Sequence, residues 1–371
     1  MGRGINRYGS WIAYGHGALN AQGISSLVFE SHSSENIYEY ILSVACNFSP
    51  IPIYTAPYHI GSMEKITDTD IPVSSSLLRA IDQKKKRLDS LRPLPADAAQ
   101  RLLHEIRLRH TYHSDAIEGN RLTLKETQLV LEEGITVGGK PLKDHLEAKD
   151  DAEAFDLMVN LVNDKATLTQ DLIQRLHAVV TQGLLERPGC YRTGNVHVSG
   201  SLTSPPRYEH IIHLMDEYIA AVRKLTLHPV KKAVLVHYEL TRIHPFWDGN
   251  GRVARLVMNF SLMKDHYPPI IIQQQDRHEY YNALEKADAR DYSEFATFIA
   301  RRVNEALQIY LSAFSNADHL MPLLELARGS TYSQEYLSLR ARQGRLDAVK
   351  IEDNWYSSKR ALKDYQRSIQ K

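Results

Sequence analysis

Apolar residues recur every three or four positions through most of residues 97–314, and this spacing predicts an all-α core. The first stripe comprises Leu102, Leu103, Ile106 and His110. Thr123 and Glu126 have the spacing of a capping box, which predicts that the next helix begins there and ends at Gly134. Further helices are predicted from the stripe Leu146, Phe155, Val159, Val162, from the stripe Leu172–Val180 capped by Thr169, and over 209–224, 230–242, 250–264, 277–288 and 292–314.

One interval interrupts the helical pattern. Between Gly189 and Pro206 the sequence is rich in Gly, Ser, Pro and Thr around the alternating residues Val196, His197 and Val198. Such alternation between turn-forming residues predicts a short β-hairpin.

The bulk composition excludes several classes of protein. The 371 residues carry a net charge of +1, so no overall field favours nucleic acid, membrane or an acidic substrate. The two cysteines, Cys46 and Cys190, lack the spacing of a disulfide framework or a zinc site. No apolar run reaches the ~18 residues of a membrane span. We therefore expect a soluble, cytoplasmic protein that reaches neither a membrane nor an oxidising compartment.

Composition also divides the chain into regions. Residues 1–62 contain six tyrosines but no lysine and no aspartate. Either the natural chain starts at Met63 and the preceding stretch is a leader, or this stretch is a tyrosine-rich arm that packs on the body. We expect an N-terminal helical region over 63–135, a catalytic core over 136–315 and a small C-terminal module over 320–371.

Residues 244–255, with the sequence HPFWDGNGRVAR, join two predicted helices and carry the features of an anion site. Gly249, Asn250 and Gly251 stand at a helix start, where backbone N–H groups point outward and the helix dipole is positive. Arg252 and Arg255 add guanidinium groups that suit phosphate.

Two further residues of this segment can take part in chemistry. Asp248 offers the hard oxygen ligand that Mg²⁺ requires beside substrate phosphates. His244 titrates near neutral pH and can accept a proton from a hydroxyl group. Together with the anion site, these residues indicate nucleotidyl or phosphoryl transfer by in-line attack on a phosphate. The alternative is a helix start with a core histidine and surface arginines.

The same twelve residues resemble the signature of the Fic family, HPFx[DE]GNGRxxR, at all nine defined positions, and the resemblance extends over roughly 96–315. It implies an all-α helical core with a small β-hairpin flap. It also implies transfer of AMP from ATP to a Ser, Thr or Tyr hydroxyl of a protein, with release of pyrophosphate. The intact sequence 249–252 argues against the kinase-like branch of the family, which usually has a lysine-bearing variant there.

The resemblance also implies a role for each residue of the signature. His244 is the base, Asp248 holds Mg²⁺, and residues 249–251 form the anion hole. Within that hole Asn250, together with Arg252, contacts the α- and β-phosphates.

The resemblance implies roles for two further residues of the signature. Arg255 contacts the γ-phosphate, and Phe246 is a buried structural residue.

Two flanking segments resemble further parts of such enzymes. Residues 192–198, with Asn195, Val196, His197 and Val198, are similar to the flap that pairs with the target segment by strand addition. On pattern alone they are an ordinary hairpin.

Residues 277–291 resemble the helix that lines the adenine pocket, through Tyr280, Tyr281 and Asp288. The family often has Asn at the position of Asp288. On pattern alone, Tyr281 is a core residue.

Ser114 and Glu118 lie four residues apart, so they share a helix face, and Gly119 follows as a stop. The segment 114–120 resembles the family's inhibitory motif, [ST]xxxE[GN]. If Glu118 pairs with Arg255, that arginine is withheld from the γ-phosphate. The same carboxylate could position a water that removes AMP. The alternative is an exposed carboxylate at a helix end.

Residues 328–371 contain ten Lys and Arg against five Asp and Glu. The segment 332–350 indicates a capped helix, a glycine turn and a second element, and it resembles the winged-helix or helix-turn-helix modules of excisionase-like proteins. Such a module would place Arg340, Arg342, Arg345 and Lys350 against DNA phosphates. Acids at Glu352 and Asp353 stand where a basic wing would lie, so protein docking is an equal alternative.

Two classes of function remain open. The first is a protein adenylyltransferase that acts on another protein or on itself, with a phosphocholine or UMP donor as a lesser variant. The second is a transcriptional regulator that uses a non-catalytic core to sense a nucleotide or to form a homo-oligomer. The intact His244 favours the enzyme, because a sensor needs the anion site but not a base.

Overall fold

The computed structural model describes residues 66–198, 204–351 and 353–369, all of which fall within one compact unit. The predicted leader or arm over 1–62 lies outside these residues. No helix in the three described ranges is long and apolar enough to cross a bilayer. The helices of the described residues are α1 Ser75–Ser90, α2 Ala96–Glu118, α3 Leu124–Glu133, α4 Leu142–Asn163, α5 Gln170–Val180, α6 Ile211–Lys224, α7 Pro229–Ile243, α8 Asn250–Lys264, α9 Arg277–Asp288, α10 Ser293–Phe314, α11 Leu323–Arg328, α12 Gln334–Arg342 and α13 Lys359–Ile369.

Local sequence signals determine where several helices begin and end, which confirms the prediction of an all-α core. Thr123 and Glu126 form both hydrogen bonds of a capping box at the start of α3, and Gly134 ends that helix with φ 66°. Thr169 accepts the backbone N–H of Leu172 at 3.1 Å and so caps α5. Gly119, with φ 104°, ends α2 directly after Glu118. Each of these caps satisfies backbone groups that the helix itself leaves unpaired.

Helix α8 lies at the centre of the bundle. It packs against α2, α4, α5 and α7, and twelve of its fifteen residues are buried, including Arg252, Arg255 and Asn259. A helix that is buried on all sides brings its N-terminus into the interior, where water does not screen its dipole. The fold therefore buries most of the 244–255 segment and leaves the side chain of Trp247 exposed.

The predicted hairpin between Gly189 and Pro206 is described only in part, because residues 199–203 lie outside the described ranges. Within the described part, Val198 is buried and has bridge pairing, while Asn195 and His197 are exposed. The Asn195 Oδ1 accepts the backbone N–H of Tyr208 at 3.0 Å, which joins the two sides of the interval. The hairpin itself stays a prediction.

The C-terminal region combines three short helices with a small antiparallel sheet. Strands β1 Met321–Pro322, β2 Ala348–Ile351 and β3 Asn354–Ser357 lie in the order β1-β3-β2, with Ala348 opposite Ser357. Helices α11, α12 and α13 share a core of Leu323, Leu326, Leu337, Ala341, Leu346, Ala361, Leu362 and Tyr365.

Several details of this region follow the sequence pattern. Ser333 caps α12 by accepting the N–H of Tyr336, and Gly344 turns the chain with φ 65°. The second element of the predicted module is strand β2. Glu352 lies outside the described residues. A helix-turn-helix that binds DNA remains a prediction.

A buried lysine joins this region to the helical bundle. Lys84 on α1 is 3% exposed, and its Nζ lies 2.6 Å from Asp347 Oδ1 and 2.7 Å from Asn304 Oδ1 on α10. Asp318 forms ion pairs with Arg87 of α1 and Arg360 of α13, each at 3.2 Å. The cost of burying the Lys84 ammonium is offset only while its acceptors are present.

We expect Asp347→Ala to lower the free energy of unfolding by about 2 kcal/mol, because it leaves a buried cation without its carboxylate. Lys84→Met should lower the free energy of unfolding by less, because it removes the buried charge and leaves no cation that requires a carboxylate. Denaturant titration of both variants and of the double variant checks this. A double variant that is less stable than Asp347→Ala alone would contradict the assignment.

Candidate active site

The loop between α7 and α8 reverses the chain through two left-handed residues. His244 ends α7 with φ 53°, and Gly249 precedes α8 with φ 76°. Gly249 is required for a second reason, because a Cβ there would lie 2.9 Å from Thr181 Cγ2. The chain can therefore pass close to α5 and enter α8 with its first N–H groups directed into a cleft.

Asn250 fastens this loop through its side chain. Its Oδ1 accepts the backbone N–H of Phe246 at 2.9 Å, and its Nδ2 donates to the Phe246 carbonyl at 3.0 Å. Phe246 is fully buried, as the resemblance implied. These two bonds fix the orientation of the Asn250 amide, and its backbone N–H and the second N–H of Nδ2 are the donors that they leave for a phosphate.

His244 is buried, with 5% exposure, and its ring orientation is set by its own helix. Its Nδ1–H donates to the Thr241 carbonyl at 3.0 Å, so the neutral ring carries no proton on Nε2. Burial lowers the pKa of His244 to about 3, and the nearby Arg192 acts in the same direction. The imidazole is therefore neutral at physiological pH, which is the form that accepts a proton.

Arg255 is held by the end of α2. Its Nε donates to Ser114 Oγ at 3.1 Å, and its Nη2 donates to the Ser114 carbonyl at 3.0 Å. The same Nη2 lies 2.8 Å from Glu118 Oε1. Glu118 also lies against Gly251, where an added Cβ would collide with Oε1. Glu118 thus occupies the space beside the first turn of α8 while it neutralises Arg255.

Arg252 is 2% exposed and faces acids from α2 and α4. Its Nη1 lies 3.9 Å from both Asp115 Oδ1 and Glu147 Oε1. Asp151 is also fully buried in this cluster. Burial, and then the charge of Asp151, raise the pKa of Asp115 well above its usual value. The carboxyl group of Asp115 therefore keeps its proton to a higher pH than an ordinary aspartate does.

A cleft lies above these groups, and its empty volume of about 420 Å³ includes the solvent at its mouth. Its described lining brings together most of the predicted residues and adds two that the sequence analysis missed, Thr241 and Leu284. The lining comprises Glu118, Thr241, His244, Asp248, Gly249, Asn250, Gly251, Arg252, Arg255, Tyr280, Tyr281 and Leu284.

The three residues that were predicted to line the adenine pocket differ in their surroundings. Tyr280 is buried, and its hydroxyl lies 2.9 Å from His237 Nε2. Tyr281 directs its hydroxyl to the Ile117 carbonyl at 3.5 Å. Asp288 is absent from the described lining and accepts a hydrogen bond from the Tyr238 hydroxyl at 3.1 Å. This geometry therefore gives no support to a contact between Asp288 and the adenine base.

Arg192 connects the predicted flap to His244. It donates from Nε to the His244 carbonyl and from Nη1 to the Gly194 carbonyl, both at 2.9 Å. Its backbone N–H donates to the Pro245 carbonyl at 2.9 Å. The segment that leads to Asn195–Val198 therefore starts beside His244.

The loop also contacts a residue that the sequence analysis missed. His177 on α5 is fully buried and lies against Phe246, Asp248 and Gly249. It stands within the apolar stripe Leu172–Val180, where a histidine looks like an ordinary core residue. Only the position of the loop in space shows that His177 belongs to the site.

Asp248 is suited to a divalent metal. Its side chain lines the cleft, and its Oδ1 accepts the N–H of Gly249 at 2.7 Å, which orients the carboxylate. Within the described ranges, no group of three or more His, Cys, Asp or Glu could hold a metal alone. One carboxylate together with substrate phosphates is the usual arrangement for Mg²⁺, so the residues present fit that ion.

Comparison with known proteins identifies relatives of this chain. The model of the Fic/DOC family matches residues 167–262. The protein adenylyltransferase Fic of Culex quinquefasciatus is 37% identical over 249 residues, which are 66% of this chain and 49% of that protein. The protein of the same name from Nematostella vectensis is 33% identical over 278 residues, 74% of this chain and 64% of that protein. The chain thus spans about half to two thirds of their length.

Two solved structures share the fold. A Fic domain containing signaling protein from Bacteroides thetaiotaomicron is 30% identical with a TM-score of 0.58, and the match covers 63% of this chain and 96% of that one. Residues 134–508 of Fic-1 from C. elegans are 28% identical with a TM-score of 0.57, covering 64% and 71% of the two chains.

We expect Asp115→Asn to stabilise the protein at high pH. The pKa of Asp115 is raised in the folded state, so wild-type stability declines as the pH rises from the unfolded pKa towards the folded one. The asparagine cannot ionise, and its advantage should grow between pH 4 and pH 8 to about 1 kcal/mol or more. Thermal unfolding across this range is the measurement.

Asp156→Asn is the matched control, since Asp156 is a half-exposed aspartate on α4 that pairs with Arg107. It should give no stabilisation that increases with pH. An advantage of Asp115→Asn that is the same at pH 5 and pH 8 would show that Asp115 is not a neutral acid in the folded protein.

Proposed function

The chain belongs to the Fic family, and we propose on this premise that it is a protein adenylyltransferase. It transfers AMP from ATP to a Ser, Thr or Tyr hydroxyl of a protein, which can be another protein or the chain itself. One observation carries the proposal: the neutral imidazole of His244, the N-terminus of α8 and the two buried arginines all line one cleft.

The reaction requires a hydroxyl oxygen to attack the α-phosphorus of ATP. The new O–P bond forms as the bond to the bridging oxygen of the β-phosphate breaks, and pyrophosphate leaves. His244 Nε2 accepts the hydroxyl proton, because Nδ1–H is committed to the Thr241 carbonyl. The backbone N–H groups of Asn250 and Gly251 and the guanidinium of Arg252 stabilise the charge on the phosphates, since the N–H of Gly249 is bonded to Asp248.

Mg²⁺ fits the proposed reaction as a cofactor bound to Asp248 and the phosphates. When bound, it would neutralise phosphate charge and orient the leaving pyrophosphate. The contribution of the protein is to fix the Asp248 carboxylate, through the N–H of Gly249 and the entry into α8. A cytoplasmic location remains a prediction that rests on the sparse cysteines.

We propose that the state with the Glu118–Arg255 pair is the inhibited state. Arg255 Nη2 is engaged by Glu118 Oε1 at 2.8 Å in a site where Arg255 is only 2% exposed. A charge-assisted bond with so little solvent competes effectively with the γ-phosphate for the same donor. Activation then requires Glu118 to leave Arg255.

Removal of AMP is a second candidate activity of the same cleft. Glu118 lines the cleft beside Gly251, close to the first turn of α8. A carboxylate at this position could accept a proton from a water that attacks the phosphorus of a bound AMP ester, while the protein oxygen leaves.

The regulator that the sequence analysis left open has no support from the relatives, two of which are named protein adenylyltransferases. None of the names of the proteins compared above mentions DNA or an oligomer. We therefore propose ATP and a hydroxyl-bearing protein as partners, and we propose neither DNA nor a second copy.

Labelling with ATP that is radioactive at one phosphate tests the reaction. Glu118→Gly protein with Mg²⁺ should become labelled from the α-position and not from the γ-position. His244→Asn in the same background should reduce this labelling at least about 100-fold, because the base is lost. Asparagine tolerates the positive φ at 244, so the loop should be retained.

ATP binding by the His244→Asn protein, measured by calorimetry, is the control and should change less than about threefold. Labelling from the γ-position would mean kinase chemistry and would overturn the proposal. A loss of ATP binding together with labelling would mean that His244 holds the nucleotide rather than a proton.

Inhibition is tested by the rate of self-labelling before and after Glu118→Gly. We expect an increase of at least about tenfold, since a buried charge-assisted pair has to be broken in the wild type. Glu133→Gly is the matched control, because Glu133 also ends a helix directly before a left-handed glycine but is exposed. Equal rates for wild type and Glu118→Gly would remove Glu118 from the regulation.

A further inference from the structure

We propose that His177 is a positioning residue that holds the α7–α8 loop at a fixed place relative to the segment leading to the flap. This inference rests on the proposed adenylyl transfer, for which it names a residue outside the family signature. His177 would act through the carbonyl of Asp248 and the ring of Phe246, without contact with the nucleotide.

The hydrogen bonds of His177 join two segments of backbone. Its Nε2 lies 3.0 Å from the Asp248 carbonyl, and its Nδ1 accepts the N–H of Gly189 at 2.9 Å. A carbonyl requires a donor and an N–H requires an acceptor, so the ring must carry its single proton on Nε2. Both ring nitrogens are therefore committed, and only one tautomer of the neutral ring satisfies them.

The ring also shapes the loop by packing. It stacks on Phe246 with centroids 3.7 Å apart and planes 3° from parallel. A Cβ at Gly249 would lie 3.5 Å from its Cδ2. One buried side chain thus contacts three of the five residues that connect His244 to α8, namely Phe246, Asp248 and Gly249.

The other partner of His177 stands at the start of the flap segment. Gly189 has φ 80°, and a Cβ there would meet the Gln174 carbonyl at 3.0 Å, so the turn is held tightly against α5. Three residues further along, Arg192 bonds the carbonyls of His244 and Pro245. His177 and Arg192 therefore each form hydrogen bonds that connect the α7–α8 loop to the segment leading to the flap, at separate points.

Three substitutions separate the contributions of the ring. Gln can keep the donor to Asp248, Asn can keep the acceptor for Gly189, and Phe keeps only the stacking. Each is made in the Glu118→Gly background, and self-labelling from α-labelled ATP is measured at saturating ATP-Mg²⁺. We expect His177→Gln to stay within about threefold of its parent, and His177→Asn and His177→Phe to fall at least about tenfold.

Two further measurements give readouts that a purely structural role would not move in this way. ATP affinity without metal should change less than about threefold in all three variants, because Arg252 and Arg255 are untouched. Hydrogen exchange of the amides at 246–251 should accelerate in the Asn and Phe variants and stay at the parental rate in the Gln variant.

His145 provides the matched control. It is also buried, and it bridges two backbone groups, accepting the Val137 N–H and donating to the Pro141 carbonyl, both at 2.8 Å. His145→Phe should lower the unfolding temperature while it leaves labelling and exchange at 246–251 unchanged.

His177→Phe protein that labels and exchanges like its parent would overturn the proposal, as would a Gln variant as impaired as Phe. If the Glu118→Gly parent itself fails to label, the adenylyl transfer is wrong, and the exchange pattern at 246–251 alone decides the role of His177.

Discussion

Two guanidinium groups, those of Arg252 and Arg255, lie at the centre of an α-helical bundle, and much of the structure follows from their burial. Each is 2% exposed on a helix that is itself surrounded by four others. Cations in such a place must be compensated by acids or by a bound anion. Helix α2 supplies Asp115 and Glu118 one turn apart, and α4 supplies Glu147 and Asp151, which explains why polar stretches of these two helices face inward.

The same compensation is the basis of the proposed inhibition. Two buried arginines without a counter-ion would destabilise the cleft, so the protein provides carboxylates, and a bound triphosphate would have to replace at least one of them. Glu118 comes from the last residue of α2, beside a left-handed glycine, and so it is the acid with the fewest constraints on its backbone. Asp115, one turn earlier, is enclosed, and its burial together with the charge of Asp151 raises its pKa, which weakens the compensation that it offers to Arg252. Position along one helix thus separates a displaceable acid from a permanent one.

The sequence predicts the fold well where local signals are strong. The capping box at Thr123, the cap at Thr169 and the glycines at 119 and 134 set helix ends independently of tertiary contacts. The loop 244–255 was predictable because its chemistry lies in consecutive residues. His177 was not, since its role depends on a contact across 71 residues of chain, and its place in an apolar stripe has a simpler explanation. The sequence analysis also did not predict that Asp115, Glu147 and Asp151 lie beside Arg252. A carboxylate on a helix is usually solvated, so nothing in the sequence marks these three as buried. Strand β1 of the C-terminal sheet, Met321–Pro322, is too short for any periodicity to reveal it.

Neutral imidazoles complete the electrostatic design of the site. Burial lowers the pKa of His177 to about 4 and those of His237 and His244 to about 3, and each ring binds a neighbouring backbone or tyrosine group. A histidine that became cationic here would add repulsion to two arginines that are already buried, and it would also lose the lone pair its partner or its chemistry requires. In the proposed reaction the arginines would carry the positive charge that attracts the nucleotide, whereas the neutral histidines would pack the loop and supply a proton acceptor. Burial is the main cause of the lowered pKa of His244, and the charge of Arg192 adds to it, so the ring beside this cation stays in the neutral form that the proposed reaction requires.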